Sequence, residues 1–185
     1  MGMVKGLNVA KHQCYDCLWL INSKESIDKL YQFASLENDI EDMAYLGKLY
    51  LNGKGIKKSR KKGLCLLKKA SENGLKWASI IYYDELYKDP KSDITEISRI
   101  IEQLAISGYT PAMYRLGKAY YEGRGFSKDL DKSLFYLEKV QNYNNETYVN
   151  VLIDMGTEDS LNIASNIIQN RMSPDIKVKY CKFIH

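Results

Sequence analysis

Histidine is nearly absent from this chain. There are two in 185 residues, His12 and His185. With no Gly-x-Ser-x-Gly elbow, no His-Glu-x-x-His and no Cys/His pairing, the usual hydrolytic and metal-dependent constellations are missing. Proline occurs three times, which suits long helices. No apolar run approaches the length of a membrane span, and no apolar core of a signal peptide follows the N-terminus, where Val9-Ala10 leads straight into Lys11-His12-Gln13. Met1-Gly2 could open a myristoylation signal, but Gly6 stands where Ser or Thr is needed. A cytoplasmic location is the expectation. Four cysteines (Cys14, Cys17, Cys65, Cys181) without an export signal read as reduced thiols. Charge is balanced: Lys+Arg 27 against Asp+Glu 23 gives +4, a milder excess than a dedicated nucleic-acid binder shows.

What is abundant is tyrosine, 15 against four Phe and two Trp. Amphipathic rings of this kind suit interfaces. Hydrophobic residues make up 45% of the chain, enough for one continuous core.

The organising feature is a repetition. Leu46-Gly47-Lys48-Leu49-Tyr50-Leu51-Asn52-Gly53-Lys54-Gly55-Ile56 returns as Leu116-Gly117-Lys118-Ala119-Tyr120-Tyr121-Glu122-Gly123-Arg124-Gly125-Phe126, 70 residues later and so twice 35. A fixed period of this size marks stacked supersecondary units. Cap signals share it. Ser23, Ser59, Asp93 and Asp129 each precede an apolar-periodic segment, and Asn38, Gly74, Gly108 and Asn144 each end one. Asp93 with Glu96 has the spacing of a capping box.

Three repeats of 34–36 residues are therefore expected over 39–147. Each is a helix A, a short turn and a helix B. The pairs are 41–52 with 60–73, 77–87 with 94–107, and 112–122 with 130–141. Leu64, Leu67 and Ala70, then Ile97, Ile100, Ile101 and Leu104, then Leu134, Leu137 and Val140 form the buried stripes. Residues 1–38 read as an N-terminal capping hairpin. Residues 148–185 read as C-terminal capping helices (147–155, 158–171, 175–184), and the whole as a single domain, 1–185. Gly47 and Gly117 lie inside helices, where glycine costs about 1 kcal/mol against alanine. Close approach of helices A and B would account for them.

Ala112, Leu116, Gly117, Tyr120, Gly123, Gly125 and Phe126 carry a pattern that resembles the Sel-one-like repeat. Leu46, Gly47, Tyr50, Gly53, Gly55 and Ile56 carry it in the first repeat, with Asp42 in place of the opening alanine. The middle repeat keeps Ala78 but has Tyr82-Tyr83 for Leu-Gly and Lys88-Asp89-Pro90-Lys91 for the glycine turn. The resemblance implies an all-α, right-handed α-solenoid of about five antiparallel hairpins, related to tetratricopeptide arrays. Such arrays serve mainly as scaffolds and adaptors for protein complexes.

Three constellations compete with that reading. Gly53-x-Gly55 and Gly123-x-Gly125 resemble phosphate loops, but a helix precedes each and a third glycine is missing. Cys14-x-x-Cys17 near His12 has no second knuckle, so neither metal nor cofactor is expected. The basic run Lys57, Lys58, Arg60, Lys61 and Lys62 is a candidate anion-binding patch beside its plainer role as a solvated face.

Positions of helix A that the repeat does not need line up in columns. Lys48, Asp84, Lys118 and Asp154 form one, Tyr45, Ile81 and Arg115 a second, and Leu51, Tyr87 and Tyr121 a third. In such solenoids helix A lines the concave binding surface. Tyr45, Lys48, Asp84, Tyr87, Arg115, Lys118 and Tyr121 are thus the candidate partner-binding residues, with the composition of protein hot spots. The expected function is non-catalytic binding of another protein. Two roles fit a small array: an adaptor in a regulatory or secretion complex, and an immunity protein occluding a cognate bacterial toxin. An RNA-binding helical repeat using the 54–69 basic run is the alternative.

Overall fold

The computed structural model describes residues 39–140 and 145–181. Every regular element among them is a helix: α1 (Ile40–Asn52), α2 (Arg60–Glu72), α3 (Lys76–Tyr87), α4 (Thr95–Ile106), α5 (Thr110–Glu122), α6 (Leu130–Glu138), α7 (Asn145–Met155), α8 (Glu158–Arg171) and α9 (Pro174–Lys179). Backbone contacts divide the chain after Asp89, leaving α1–α3 in one compact unit and α4–α9 in the other. The division falls in Lys88-Asp89-Pro90-Lys91, where the glycine turn of the repeat is missing. Ser23, Asn38 and Asn144, the expected 1–38 hairpin and residues 182–185 lie outside the described residues.

In the first compact unit α1 packs on α2, and α2 on α3. Asp39 caps α1 by accepting from the Glu41 and Asp42 N–H groups. Gly53 ends the helix at φ 72°, a left-handed conformation that glycine adopts at no steric cost, and its N–H returns to the Leu49 carbonyl at 2.8 Å. The turn then folds back, with the Ser59 N–H donating to the Tyr50 carbonyl at 2.9 Å. Ser59 caps α2 as the sequence implies, its Oγ accepting from the Lys62 N–H. Leu67 and Ala70 of α2 are fully buried against Ala44, Leu51 and Ala78, while Leu64 is only half-buried.

The second unit repeats this construction in its own residues. Gly123 closes α5 at φ 68°, the Asp129 N–H donates to the Tyr120 carbonyl at 3.0 Å, and the Asp129 carboxylate caps α6 by accepting from the Lys132 N–H at 2.9 Å. The second turn glycine has a different duty. A Cβ on Gly125 would lie 2.4 Å from Ser98 Oγ of α4, so the loop can approach that helix only without a side chain. Ile97 and Ile101 are buried as expected, whereas Ile100 and Leu104 are half-buried. A second core, built from Leu137, Val149, Val151, Leu152, Ala164 and Ile168, ties α6, α7 and α8 together.

Several boundaries differ from the sequence reading: α5 and α7 start two residues early, at Thr110 and Asn145, and the last helix stops at Lys179 rather than at 184. Asp93 accepts from the N–H of Thr95, two residues on rather than the three of a capping box, and α4 starts one residue late. Helix α6 stops at Glu138. Lys139 and Val140 form a turn in which the Val140 N–H reaches back only three residues, to the Leu137 carbonyl.

The Lys132 N–H, accepted by the Asp129 carboxylate, holds that group below the ordinary carboxylate value, and the Thr95 N–H does the same for Asp93. A depressed native value contributes stability that is present above the unfolded value of 3.8 and is lost as pH falls through the native one. Urea midpoints should therefore drop on acidification from about pH 5 to about pH 3. Asp129→Asn keeps a capping acceptor but removes the titration. Its midpoint should fall less steeply, and an unchanged slope would show that this cap does not contribute.

Candidate protein-binding faces

The seven candidate partner-binding residues sit on the A-type helices α1, α3 and α5, and all seven are half-buried. None belongs to the sealed core and none projects freely.

In the first unit, Tyr45 and Lys48 come from α1 and Asp84 and Tyr87 from α3. The Tyr45 ring packs against Trp77 of α3, centroids 5.1 Å apart, so a single aromatic contact fixes one candidate to the neighbouring A helix. Tyr87 packs against Tyr83 as a tilted pair, centroids 5.2 Å apart, and Tyr83 is itself 2% exposed. A ring held on one side by a buried ring loses little entropy when a partner covers its other side.

In the second unit, Arg115, Lys118 and Tyr121 lie along α5. Arg115 Nη1 donates to the Pro111 carbonyl at 2.9 Å, one turn back on its own helix. Lys118 is 3.6 Å from Glu122, an exposed i,i+4 pair of small energetic value. Tyr121 is the most engaged of the three. Lys128 lies over its ring at 5.3 Å, and Lys128 also pairs with Asp154 of α7 at 3.8 Å. Burial, followed by the hydrogen bond with Asp154, raises the Tyr121 phenol above its ordinary value, so it stays a neutral hydrogen-bonding group at physiological pH. The sequence column that placed Lys118 and Asp154 together on A-helix positions thus becomes, within this unit, a Tyr121–Asp154–Lys128 cluster.

The repeat tyrosines behave differently. Tyr120 is 7% exposed, lies 4.8 Å from Phe126 and 6.2 Å from the parallel ring of Tyr136, and donates to Glu102 Oε1 at 3.4 Å. Burial first, then the Glu102 charge, pushes it up to about 12. Tyr50, 6% exposed, is covered by Lys62, whose Nζ is 5.4 Å from the ring centre. Both are packing residues.

The candidate anion-binding residues Lys57, Lys58, Arg60, Lys61 and Lys62 are all exposed, on the turn after α1 and the first turn of α2. Arg60 is partly committed, since its Nη2 donates to the Glu85 carbonyl of α3 at 2.7 Å. No acidic residue accompanies the three cations in the first turn of α2. Cys65 and Cys181 are exposed free thiols, and Cys14 and Cys17 lie outside the described residues. Among the described residues, no cluster of three His, Cys, Asp or Glu side chains could hold a metal, and no helix is long and apolar enough to cross a membrane.

One packing residue was not visible in the sequence reading. Gly63 of α2 faces Gly47 of α1 so closely that a Cβ there would be 2.8 Å from the Gly47 carbonyl oxygen. The residues at the same place in the period are Ser98 and Ser133, both buried, and Ser133 Oγ donates to the Gly117 carbonyl at 2.7 Å. A small residue recurring every 35 positions was the available signal.

Comparison with known proteins bears out the family resemblance. The Sel1 repeat family matches residues 40–75 and 110–139, the segments that hold the two glycine-turn repeats. No curated protein matches the chain. Among solved structures, a Sel1 repeat protein from Oxalobacter formigenes is 27% identical, with a TM-score of 0.54 over 71% of this chain and 53% of its own. A protective antigen present in uropathogenic Escherichia coli strains, displaying an SLR fold, has a TM-score of 0.58 over 77% of this chain and 36% of its own. At 17% identity that second likeness speaks to the fold alone. The chain spans about half the length of the first and about a third of the second. Every regular element among the described residues is thus a helix, two segments of the chain match the Sel1 repeat family, and the fold is similar to that of solved Sel1-repeat proteins.

Proposed function

We propose that this protein is a non-catalytic protein-binding module. It grips its partner through the A-helix faces, using Tyr45, Lys48, Asp84 and Tyr87 of the first compact unit and Arg115, Lys118 and Tyr121 of the second. The observation that carries the reading is the common half-burial of these seven side chains, none of which the repeat pattern requires. Sel1 repeats generally act as protein-interaction scaffolds, which supports the class. Tyrosine and arginine anchored by their own helices have the character of interface hot spots. The module acts as an adaptor in a regulatory complex or as an immunity protein occluding a bacterial toxin, and a toxin-like reading frame beside its gene would favour the second.

The test is substitution on both faces. Tyr87→Ala and Arg115→Ala should each weaken binding of a purified partner by about 1–4 kcal/mol, as truncated hot spots do. Circular dichroism must show unchanged helicity for the comparison to count. Variants that keep their helicity and bind like the parent protein would exclude these faces.

A further inference from the structure

The chain contains its own control for the basic run. The first and third repeats share one turn geometry, with Gly53 and Gly55 at φ 72° and 71° and Gly123 and Gly125 at 68° and 80°. Their charges differ sharply. Residues 54–62 hold six Lys or Arg and no acid, whereas residues 124–132 hold three Lys or Arg and two Asp.

Some of the cations are structural. Lys58 and Lys128 lay their stems against Gly53 and Gly123, and Lys62 and Lys132 cover the Tyr50 and Tyr120 rings at 5.4 and 5.3 Å. Lys54 has its counterpart in Arg124. The remainder, Lys57, Arg60 and Lys61, have no cationic counterpart in the third repeat, which has Ser127, Leu130 and Asp131 there; of the three, Arg60 also donates to the Glu85 carbonyl of α3.

These extra charges act against the first repeat in isolation. Arg60 and Lys61 sit at the positive end of the α2 dipole, where anions are favoured and cations are not. The third repeat obeys that preference with Asp129 and Asp131. In the first, the cap is the neutral Ser59 and the hydrogen bond it accepts is long, 3.4 Å. Only Arg60 offsets its position, through the Glu85 carbonyl.

We propose that Lys57, Arg60 and Lys61 form a docking surface for an acidic segment of a partner protein. Charge complementarity selects an anion. The remaining features select a polypeptide over single-stranded RNA: among the described residues, residues 57–62 and the rest of α2 carry no aromatic side chain, and the Tyr50 ring that Lys62 covers is only 6% exposed, which leaves bases a poor stacking platform there. Lysine point charges on an exposed turn suit a flexible Asp/Glu-rich stretch, steering it at long range and holding it weakly. The proposal rests on the protein-binding reading above and adds a second contact to it.

The test uses the full chain and a fluorescein-labelled Glu/Asp-rich peptide, read by anisotropy, with labelled oligouridylate as the second probe. The variant Lys57→Ser/Lys61→Asp installs residues that the third repeat already carries on the same backbone, and leaves the Arg60 bond intact. It should fold like the parent and bind the peptide about ten-fold more weakly, since one cation is removed and a second is replaced by an anion. Salt should weaken the parent's binding and narrow the difference. Equal peptide affinity in the parent and a well-folded variant would overturn the proposal. So would oligouridylate binding that depends on Lys57 and Lys61 while the peptide does not bind. Neither result touches the Tyr87 and Arg115 experiment, so the two readings fail separately.

Discussion

Leu67→Ala should destabilise the first compact unit by about 3–5 kcal/mol, the upper part of the range for buried leucine. Leu67 is 0% exposed and belongs to the cluster of Ala44, Leu51, Ala70 and Ala78. The range for such truncations reflects how well a site can collapse. Here it cannot collapse well. The space that Leu67 fills lies over Gly47, where a Cβ would stand only 3.0 Å from the Leu67 Cγ. The wall opposite is therefore helical backbone, and of the four other buried members of the cluster three are alanines too short to reach across. Urea unfolding followed by the helical signal should show a lower midpoint with the slope retained. A loss below about 1.5 kcal/mol would mean that the helices close over the cavity.

Gly63→Ala tests the same contact from the other side. Alanine is the better helix former by about 1 kcal/mol, and on an open helix face this exchange would stabilise. At Gly63 the new methyl would stand 2.8 Å from the Gly47 carbonyl oxygen and 2.8 Å from Leu51 Cγ and Cδ2. Leu51 is 8% exposed, and the carbonyl is part of a hydrogen-bonded helix, so neither can move aside without parting α1 from α2. Overpacking of this kind costs about 1–3 kcal/mol and should exceed the propensity gain. Gly117→Ala meets chiefly the Leu137 side chain, at 2.7 Å, rather than backbone, and should be the milder of the two. A neutral or stabilised Gly63→Ala would disprove the close-approach account of these glycines.

The period-35 repetition made the helices legible, because caps, glycine turns and apolar stripes all followed it. Ser59 and Asp129 do cap α2 and α6, and Gly53 and Gly123 do end α1 and α5. Gly63 escaped notice because its partners in the period are serines, and a serine inside a helix signals nothing by itself. The early end of α6 was equally invisible, since Val140 continues the apolar spacing of Leu134 and Leu137 after the hydrogen bonding has tightened to three residues.

Columns of A-helix positions could be read from the sequence, but the state of each side chain could not. Trp77 beside Tyr45, Tyr83 beneath Tyr87 and Lys128 over Tyr121 are contacts between residues the columns did not contain. They decide how much of each candidate remains available. Lys57 and Lys61 stand out only when one turn is laid against its copy, since a lysine-rich turn alone is an ordinary solvated surface.

The central claim is that the A-helix faces bind a protein, and calorimetric titration of a purified partner tests it most directly. The parent, Tyr87→Ala and Arg115→Ala proteins would be compared at low and at physiological salt, with helicity checked for each. Both variants should bind more weakly by about 1–4 kcal/mol, and for Tyr87→Ala the loss should persist at the higher salt because a ring contact is not screened. Parent-like affinity in both well-folded variants, with binding that collapses as salt rises, would contradict the claim and leave the basic turn as the site.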